Sequence, residues 1–346
     1  MPERLEDVAI LIDGNRWRAW ETVTIKTLID GLSSITFSTP FEPDRAEFRD
    51  TFRPFAFRDL ELLVGDERMF TGTLVDVRPS RDPKSTTVDA SAYSRPAVLN
   101  DVHAPARAFP LELDGLTLRQ VAEKLVGPFG IDVEVEGDDG PPFRRVGIKP
   151  TQKVFGFLAE LAKERGLVIS DTPEGALRFR RSSSPGQPVV RLREGQPPLL
   201  SVEPSFAPQA YYSEVTAISK TRAGRGGAKY TVTNPRLAGV LRPHTFELED
   251  TDGPDAPAAA DAKLGRMFGN ALSLSCKVHT WRDPGGQLWR PDTTLLLEAP
   301  GAMVYQETEW LVHAVTLDKG EAQTASLALV LPGAFSGEIP EVMPWD

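Results

Sequence analysis

Apolar and polar residues alternate along the first hundred residues in the pattern of β-strands. Val23 and Ile25 fall on one side of such a strand, with polar residues between them. Two apolar runs, 60–64 and 69–77, flank the turn Gly65–Glu67, an arrangement typical of a β-hairpin. The stretch has no convincing helical period, so we expect an antiparallel sheet or a small barrel.

The pattern becomes helical after Pro96. Thr117 and Gln120 have the spacing of a capping box, and the apolar residues that follow fall on one helical face. A second helix is predicted with Thr151 as its cap and an apolar stripe that starts at Val154. A strand follows each helix, and the second strand ends in a hairpin. The middle region is therefore predicted to hold two helix–strand units.

Strand patterns return after residue 195 and are interrupted by one further predicted helix. We expect a mainly β fold with an α+β middle region, in which two β-barrel-like domains flank a helix-containing domain. The predicted domains are residues 1–98, residues 99–195, and residues 196–346 with a helical insertion near 256–270. Residues 332–346 are predicted to be a carboxy-terminal tail that docks on a neighbour. Strands and helices do not alternate throughout, which excludes a doubly wound enzyme fold.

Composition and charge limit the classes of partner that the chain can bind. The chain has 346 residues, of which 40% are hydrophobic and 25% charged, as in a folded globular protein. Its net charge of −10 argues against a broad or sequence-specific nucleic-acid surface and against docking by charge on an anionic membrane. The single cysteine, Cys276, excludes an internal disulfide and a cysteine-based zinc site. With no apparent signal peptide or membrane span, we expect a soluble protein made in the cytoplasm.

A search for catalytic or ligand-binding motifs predicts no catalytic residue, no cofactor and no metal site. No two of the four histidines lie within four residues of each other, and no Gly-x-Ser-x-Gly occurs. The glycine-rich run at 224–229 is followed by a strand pattern, so it is interpreted as an exposed basic hairpin tip. The segment 250–257 has its glycine at the wrong position for a calcium loop and lacks the terminal glutamate, so it is interpreted as a mobile acidic loop.

The most distinctive stretch runs from Trp281 to Pro291. It is predicted to be a strand end, an Asp-Pro-Gly-Gly turn and a second aromatic residue, Trp289, that folds back on the first. Exposed aromatic residues could also form a carbohydrate-binding platform. Packing in a core or at an interface is the preferred interpretation.

Nine pieces along nearly the whole chain resemble the baseplate hub proteins of Mu-type contractile phages and related tails. Their order and spacing carry the resemblance more than any single piece does. The pieces are Trp20–Val23, Ser33–Phe37, Phe70–Val75, Thr117–Leu118, Phe129–Ile131, Lys153–Phe155, Gly166–Val168, Trp281–Asp283 and Leu288–Asp292.

The resemblance implies a homotrimeric structural hub. In such hubs two similar β-barrel domains per subunit form a pseudo-sixfold ring, which joins the tail tube to a trimeric central spike. Further implied partners are a tube-initiator protein, the tape measure and the baseplate wedge proteins. The implied location is the tail baseplate of a virion assembled in the host bacterial cytoplasm. The family is not defined by catalytic residues, so none carries over.

A closed ring needs contacts with apolar centres, and exposed aromatic residues are candidates for them. Trp281, Trp289 and Phe335 are the predicted interface residues. Two alternatives stay open. One is a tail-associated hydrolase of cell-wall polysaccharide, which needs two carboxylates across a cleft. The other is a glycan-binding tail module.

Overall fold

The computed structural model describes residues 5–82, 85–182, 187–219, 229–237, 239–248, 256–335 and 343–346. The predicted basic tip at 224–228 and the predicted acidic loop at 250–255 lie outside these residues. In the amino-terminal region, the structure has one short helix, α1 (Ala46–Thr51), and strands β1 (Val8–Ile12), β2 (Asn15–Trp17), β3 (Thr22–Leu28), β4 (Ser34–Pro40), β5 (Asp59–Val64), β6 (Glu67–Arg81) and β7 (Thr86–Ser94).

The middle and carboxy-terminal regions complete the element order. The middle region contains α2 (Leu118–Val126), β8 (Val133–Val135), α3 (Val154–Glu164), β9 (Val168–Asp171) and β10 (Leu177–Arg180). The carboxy-terminal region contains β11 (Arg191–Arg193), β12 (Leu199–Phe206), β13 (Glu214–Ile218), β14 (Lys229–Thr233), β15 (Pro243–Glu247), α4 (Ala256–Ala271), β16 (Leu272–Val278), β17 (Thr294–Ala299), β18 (Val304–Lys319) and β19 (Gln323–Val330). The predicted class, mainly β with an α+β middle region, is confirmed.

One sheet runs through both β regions. Its strand order is β12-β16-β19-β18-β3-β4-β7-β6-β5-β1-β2, and β17 and β11 extend it beside β18. The regions join where β3 pairs antiparallel with β18, with Ile25 opposite Leu317. Residues from both regions form one hydrophobic core, which extends from Val8 to Met343. The two β regions therefore share a sheet and a core.

The middle region has a core of its own, built from residues between Leu99 and Phe179. Helix α2 begins at the predicted capping box, since the Thr117 side chain accepts from the Gln120 backbone and the Gln120 side chain accepts in return. Helix α3 begins at Val154 with Lys153 as its N-cap, so the prediction of Thr151 as the cap is wrong. Lys153 has extended backbone and the Val154 amide donates to the Val102 carbonyl, whereas Thr151 lies in the turn that precedes them.

Two smaller sheets complete the fold. Strand β10 lies between β8 and β9 in the middle region, and β13 lies between β14 and β15 beside helix α4. Part of the predicted tail packs on its own chain, because Met343 is buried and the Tyr305 amide donates to the Pro344 carbonyl. No helix in the described residues is both long enough and apolar enough to span a membrane.

Candidate assembly surfaces

The structure places the three predicted interface aromatics inside the chain. Trp281, Trp289 and Phe335 are only 1%, 2% and 7% exposed. The Trp281 indole donates to the Asp318 and Thr324 carbonyls, and the Trp289 indole donates to the Thr280 carbonyl. The expectation that these rings are exposed is wrong, because each fills the fold of its own chain.

The local geometry predicted for this stretch does form. The Trp289 amide donates to the Trp281 carbonyl at 2.9 Å, so the second tryptophan folds back on the first. Asp283 closes the turn between them by accepting from the Gln287 amide, and Gly286 supplies the left-handed φ of 84°. The Trp281–Pro291 segment is thus a closed turn whose two tryptophans pack into the core of their own chain.

Two of the exposed aromatic residues lie in the loop that follows α1. We call residues 53–58 the aromatic loop. Phe55 is 89% exposed and Phe57 63% exposed, and both have a positive φ, of 61° and 49°. Left-handed backbone at a bulky residue costs about 1–3 kcal/mol and persists only where its surroundings impose it.

An arginine clamp holds the aromatic loop. The Arg58 guanidinium donates to the carboxylates of Asp13 and Asp50, both at 2.7 Å. Asp13 also accepts from the Asp59 amide at 3.1 Å. These contacts tie the end of the loop to the β1–β2 turn and to α1. The two phenylalanines are therefore presented on fixed backbone, which is the arrangement expected of a preorganised contact.

A second apolar surface lies along β12, at the other end of the strand order. We call it the edge patch and define it by exposed residues of β12, β18 and the last four residues: Leu200, Phe206, Tyr305 and Trp345. The rings of Phe206 and Trp345 meet edge to face at 5.7 Å. Among the residues that the structure describes, strand β12 pairs only with β16. An open strand edge beside exposed aromatic residues is a typical protein-docking surface.

The three regions meet at a junction beneath α4. A small apolar cluster there contains Ile29 of the amino-terminal region, Val168 of the middle region and Phe335 of the carboxy-terminal region. Asp30 accepts from the Ile169 amide and pairs with Arg266 of α4, whose Nη2 donates to the Leu167 carbonyl. Polar and apolar contacts therefore fix the relative placement of the regions.

Two further buried polar contacts secure the middle region. Asp171 accepts from both the backbone and the hydroxyl of Ser33, and burial raises the pKa of its carboxyl. Arg180 pairs with Asp292 of the carboxy-terminal region, and Ser182 donates to the same carboxylate. Both members of the Arg180–Asp292 pair are nearly buried, so separation would leave a charge without its partner.

A groove of about 860 Å³ opens beside this junction. Strands β12, β16, β18 and β19 contribute its floor, and α3, α4 and β15 contribute its walls. We call it the junction groove. His244 in its wall stacks on Tyr212 at 4.7 Å, and His313 in its floor stacks on Phe335 at 5.6 Å.

The described residues offer little for a metal site or for a reactive cysteine. Over the described ranges, no group of three or more histidine, cysteine, aspartate or glutamate residues could hold a metal ion. Burial raises the pKa of the Cys276 thiol to about 12, which keeps this cysteine protonated and unreactive near neutral pH.

Comparisons with known proteins agree with this architecture. Residues 97–181 match the family described as baseplate hub protein gp44-like, second domain. No curated protein matches the chain by sequence.

Three solved structures share the fold over nearly the whole chain. The 43 kDa tail protein of prophage MuSo2 from Shewanella oneidensis is 25% identical, with a TM-score of 0.78 over 95% of this chain and 99% of that one. The tail protein from Neisseria meningitidis MC58 is 18% identical, with a TM-score of 0.79 over 96% and 99%. An Escherichia coli type VI secretion component, described as similar to the T4 tail proteins gp27 and gp5, is 10% identical, with a TM-score of 0.56 over 93% and 76%.

The resemblance to Mu-type baseplate hubs is confirmed. The chain has a gp44-like second domain and the fold of Mu-type prophage tail proteins. Its role is that of a structural tail protein of the baseplate. The MuSo2 and Neisseria meningitidis structures are both described as tail proteins.

Proposed function

We propose that this chain is the hub subunit of a contractile tail baseplate, and that three copies close into a ring between the tail tube and the central spike. The continuous sheet carries the proposal. It fixes two β regions of each chain to one another through the pairing of β3 with β18. Three such chains offer six β regions to a sixfold tube and three equal subunits to a trimeric spike.

The proposed partners follow from this placement. The spike is supported by the fold shared with the type VI component, since that protein is described as similar to both gp27 and gp5. The tail tube or a tube initiator would meet the opposite side of the ring, with the tape measure and wedge proteins as neighbours. Domain limits at residues 98 and 195 belong to the same proposal.

A ring of three requires two different surfaces on each copy, because head-to-tail contacts close a cycle. We assign these surfaces to the aromatic loop and the edge patch. Arg58 ties the aromatic loop to the β1–β2 turn, and β2 ends the strand order that begins at β12. The two surfaces thus lie at opposite ends of that order, as a head-to-tail contact requires. Burying Phe55 would also offset the cost of its strained backbone.

Two double variants test this assignment. Phe55→Ser with Phe57→Ser changes the loop, and Leu200→Ser with Tyr305→Ser changes the edge patch. Each variant alone is expected to be monomeric in light scattering. An equal mixture is expected to form heterodimers, because one intact loop can still meet one intact edge. Leu241→Ser is the matched control, since Leu241 is 83% exposed and belongs to neither surface.

The possible outcomes separate the surface assignment from the function. Intact trimers of the loop variant would show that the ring uses another surface. A wild-type chain that stays monomeric both alone and with the trimeric spike would overturn the hub proposal itself.

A further inference from the structure

The continuous sheet has one face that the shared core does not cover. Strand residues alternate between the two faces of a sheet, so the residues between the core positions lie together on the other face. They form three rows, in which each residue is paired directly with the next across the strands, and none of them is buried. We call these rows the hydroxyl face. The rows are Thr324, Asp318, Thr24, Thr36, Ser91 and Asp76; Ser201, Lys277, Ser326, Thr316, Lys26, Ser34, Tyr93 and Thr73; and Thr22, Ser38, Asp89 and Arg78.

Hydroxyl groups dominate these rows. Most of the residues are serine or threonine, and the rows contain no aliphatic, phenylalanine or tryptophan side chain. The Thr22 and Ser38 hydroxyls lie 2.7 Å apart. The Thr24 hydroxyl donates to Asp318 at 2.7 Å, across the pairing of β3 with β18 that joins the two β regions. The hydroxyl face therefore continues across both β regions of the chain.

The charges of the hydroxyl face cancel. Its acidic and basic residues are equal in number, and they are Asp76, Asp89 and Asp318 against Lys26, Arg78 and Lys277. The face is thus neutral, although the whole chain has a net charge of −10. Clustered lysine and arginine would bind phosphate groups, and an excess of acid would repel them. A neutral hydroxyl surface does neither.

Such a face is better suited to water than to a protein partner. Stable interfaces have apolar centres, which the aromatic loop and the edge patch offer and the hydroxyl face does not. The hydroxyl face should therefore stay in water when three copies assemble. A surface of the ring that stays in water lies either on its rim or around its opening. The rim has to hold further baseplate proteins through apolar contacts, whereas the opening must not bind what passes through it.

We propose that the hydroxyl face lines the opening at the centre of the ring and leaves a polyanion free to pass. The inference rests on the proposed function, and it names the side of each chain that faces the axis. Because the face crosses both β regions, three chains surround the axis with six similar sectors.

Thiol labelling of the assembled full-length chain tests which way the face points. Cys276 is buried and its thiol has a pKa of about 12, so the wild type should stay unlabelled. Thr36→Cys places a thiol on the hydroxyl face, at an exposed position, and Glu123→Cys on exposed α2 is the control. Trimers, formed alone or with the spike, react with N-ethylmaleimide or with a maleimide on a long polyethylene glycol chain.

The small reagent is expected to label every chain of the Thr36→Cys trimer. The polymer reagent should label at most one chain per trimer, because the first polymer fills the opening. Glu123→Cys should take the polymer on every chain. So should Thr36→Cys in the Phe55→Ser with Phe57→Ser background, which is expected to be monomeric.

Binding of duplex DNA to the trimer tests the passage of a polyanion. The wild type is expected to retain no DNA at physiological salt. Thr36→Lys with Ser91→Lys should raise retention at least about tenfold, since lysines from three chains then face one another across the opening. Glu123→Lys is the matched control, because it changes the net charge by the same amount, and it should leave retention unchanged.

Each result has a distinct meaning. Polymer labelling of every chain in an intact Thr36→Cys trimer, loss of labelling by the small reagent, or equal protection of Glu123→Cys would overturn the lining and leave the hub proposal standing. DNA retention by the wild type, or equal gains in the two lysine variants, would overturn the free passage of a polyanion. A chain that stays monomeric with the spike would overturn the ring and this inference together.

Discussion

The middle region and the two flanking β regions are stabilised in different ways. The middle region builds its own core from residues less than a hundred positions apart. The flanking regions share one core, and their sheet joins residues nearly three hundred positions apart, such as Ile25 and Leu317. Local contacts define a module that can be recognised by itself, whereas long-range pairing makes two segments into one rigid unit. The family match at residues 97–181 covers the buried residues of the middle region's core.

The largest expected effect comes from the shared core. Trp281→Ala removes a side chain that is 1% exposed and should cost about 3–5 kcal/mol of unfolding free energy. Hydrogen exchange is expected to show β3 and β4 losing protection together with β16 and β19, while α2 and α3 keep theirs. Trp345→Ala, at a ring that is 42% exposed, is the control. Loss of protection in the carboxy-terminal strands alone would mean that the β regions are independent.

The next largest effect is expected when the contact between the middle region and the carboxy-terminal region is broken. Asp292→Asn keeps the side-chain shape and tolerates the φ of 66° at this position, but it leaves Arg180 as an unpaired buried charge. We expect destabilisation by up to about 3–5 kcal/mol and an earlier, separate unfolding step of the middle region in calorimetry. Glu42→Gln, in an exposed pair with Arg45, should cost less than about 1 kcal/mol. A single transition with unchanged midpoint in Asp292→Asn would contradict the role of this contact.

A smaller effect tests whether the middle region is stabilised locally. Thr117→Ala removes the capping box of α2 and should cost about 1 kcal/mol. Thr151→Ala is a close control, since Thr151 precedes α3 but does not cap it. Denaturant unfolding of both variants should show a loss for Thr117→Ala only. Equal losses would mean that the capping contact at Thr117 contributes nothing of its own.

The smallest net effect is expected at Asp171, where burial of the charge and hydrogen bonds from Ser33 oppose each other. Because burial raises the pKa of Asp171, the folded state keeps this proton to a higher pH than the unfolded state does. Stability should therefore fall as pH rises from the ordinary aspartate pKa through the raised one. Asp171→Asn cannot ionise and should lack that fall in urea unfolding across the acidic range. Asp66→Asn, in an exposed turn, should keep the wild-type slope, and an unchanged slope in Asp171→Asn would refute the assignment.

Sequence reasoning succeeded where contacts are local. The capping box at Thr117, the hairpin of β5 and β6, and the helix predicted near 256–270 and found as α4 all follow from residues a few positions apart. It failed at Thr151, because that residue lies in a turn and the chain at the start of α3 is bonded to Val102, about fifty residues away. It also missed α1, a helix of six residues without a side-chain cap.

The assembly surfaces were the least predictable part. The tryptophan pair at 281 and 289 marks a local turn, but nothing in the local pattern shows that the pair lies inside a core shared with the amino-terminal region. The exposure of Phe55 and Phe57 depends on Arg58 reaching Asp13, a contact across forty-five positions. Arg266 likewise meets Asp30 only after three regions have folded together.

The solution mass of the chain, measured by light scattering over a concentration series with and without the trimeric spike, tests the central claim most directly. The hub account predicts a species of three times 37.9 kDa, formed alone or completed by the spike. A mass of 37.9 kDa throughout, unchanged when the spike is added, would contradict it.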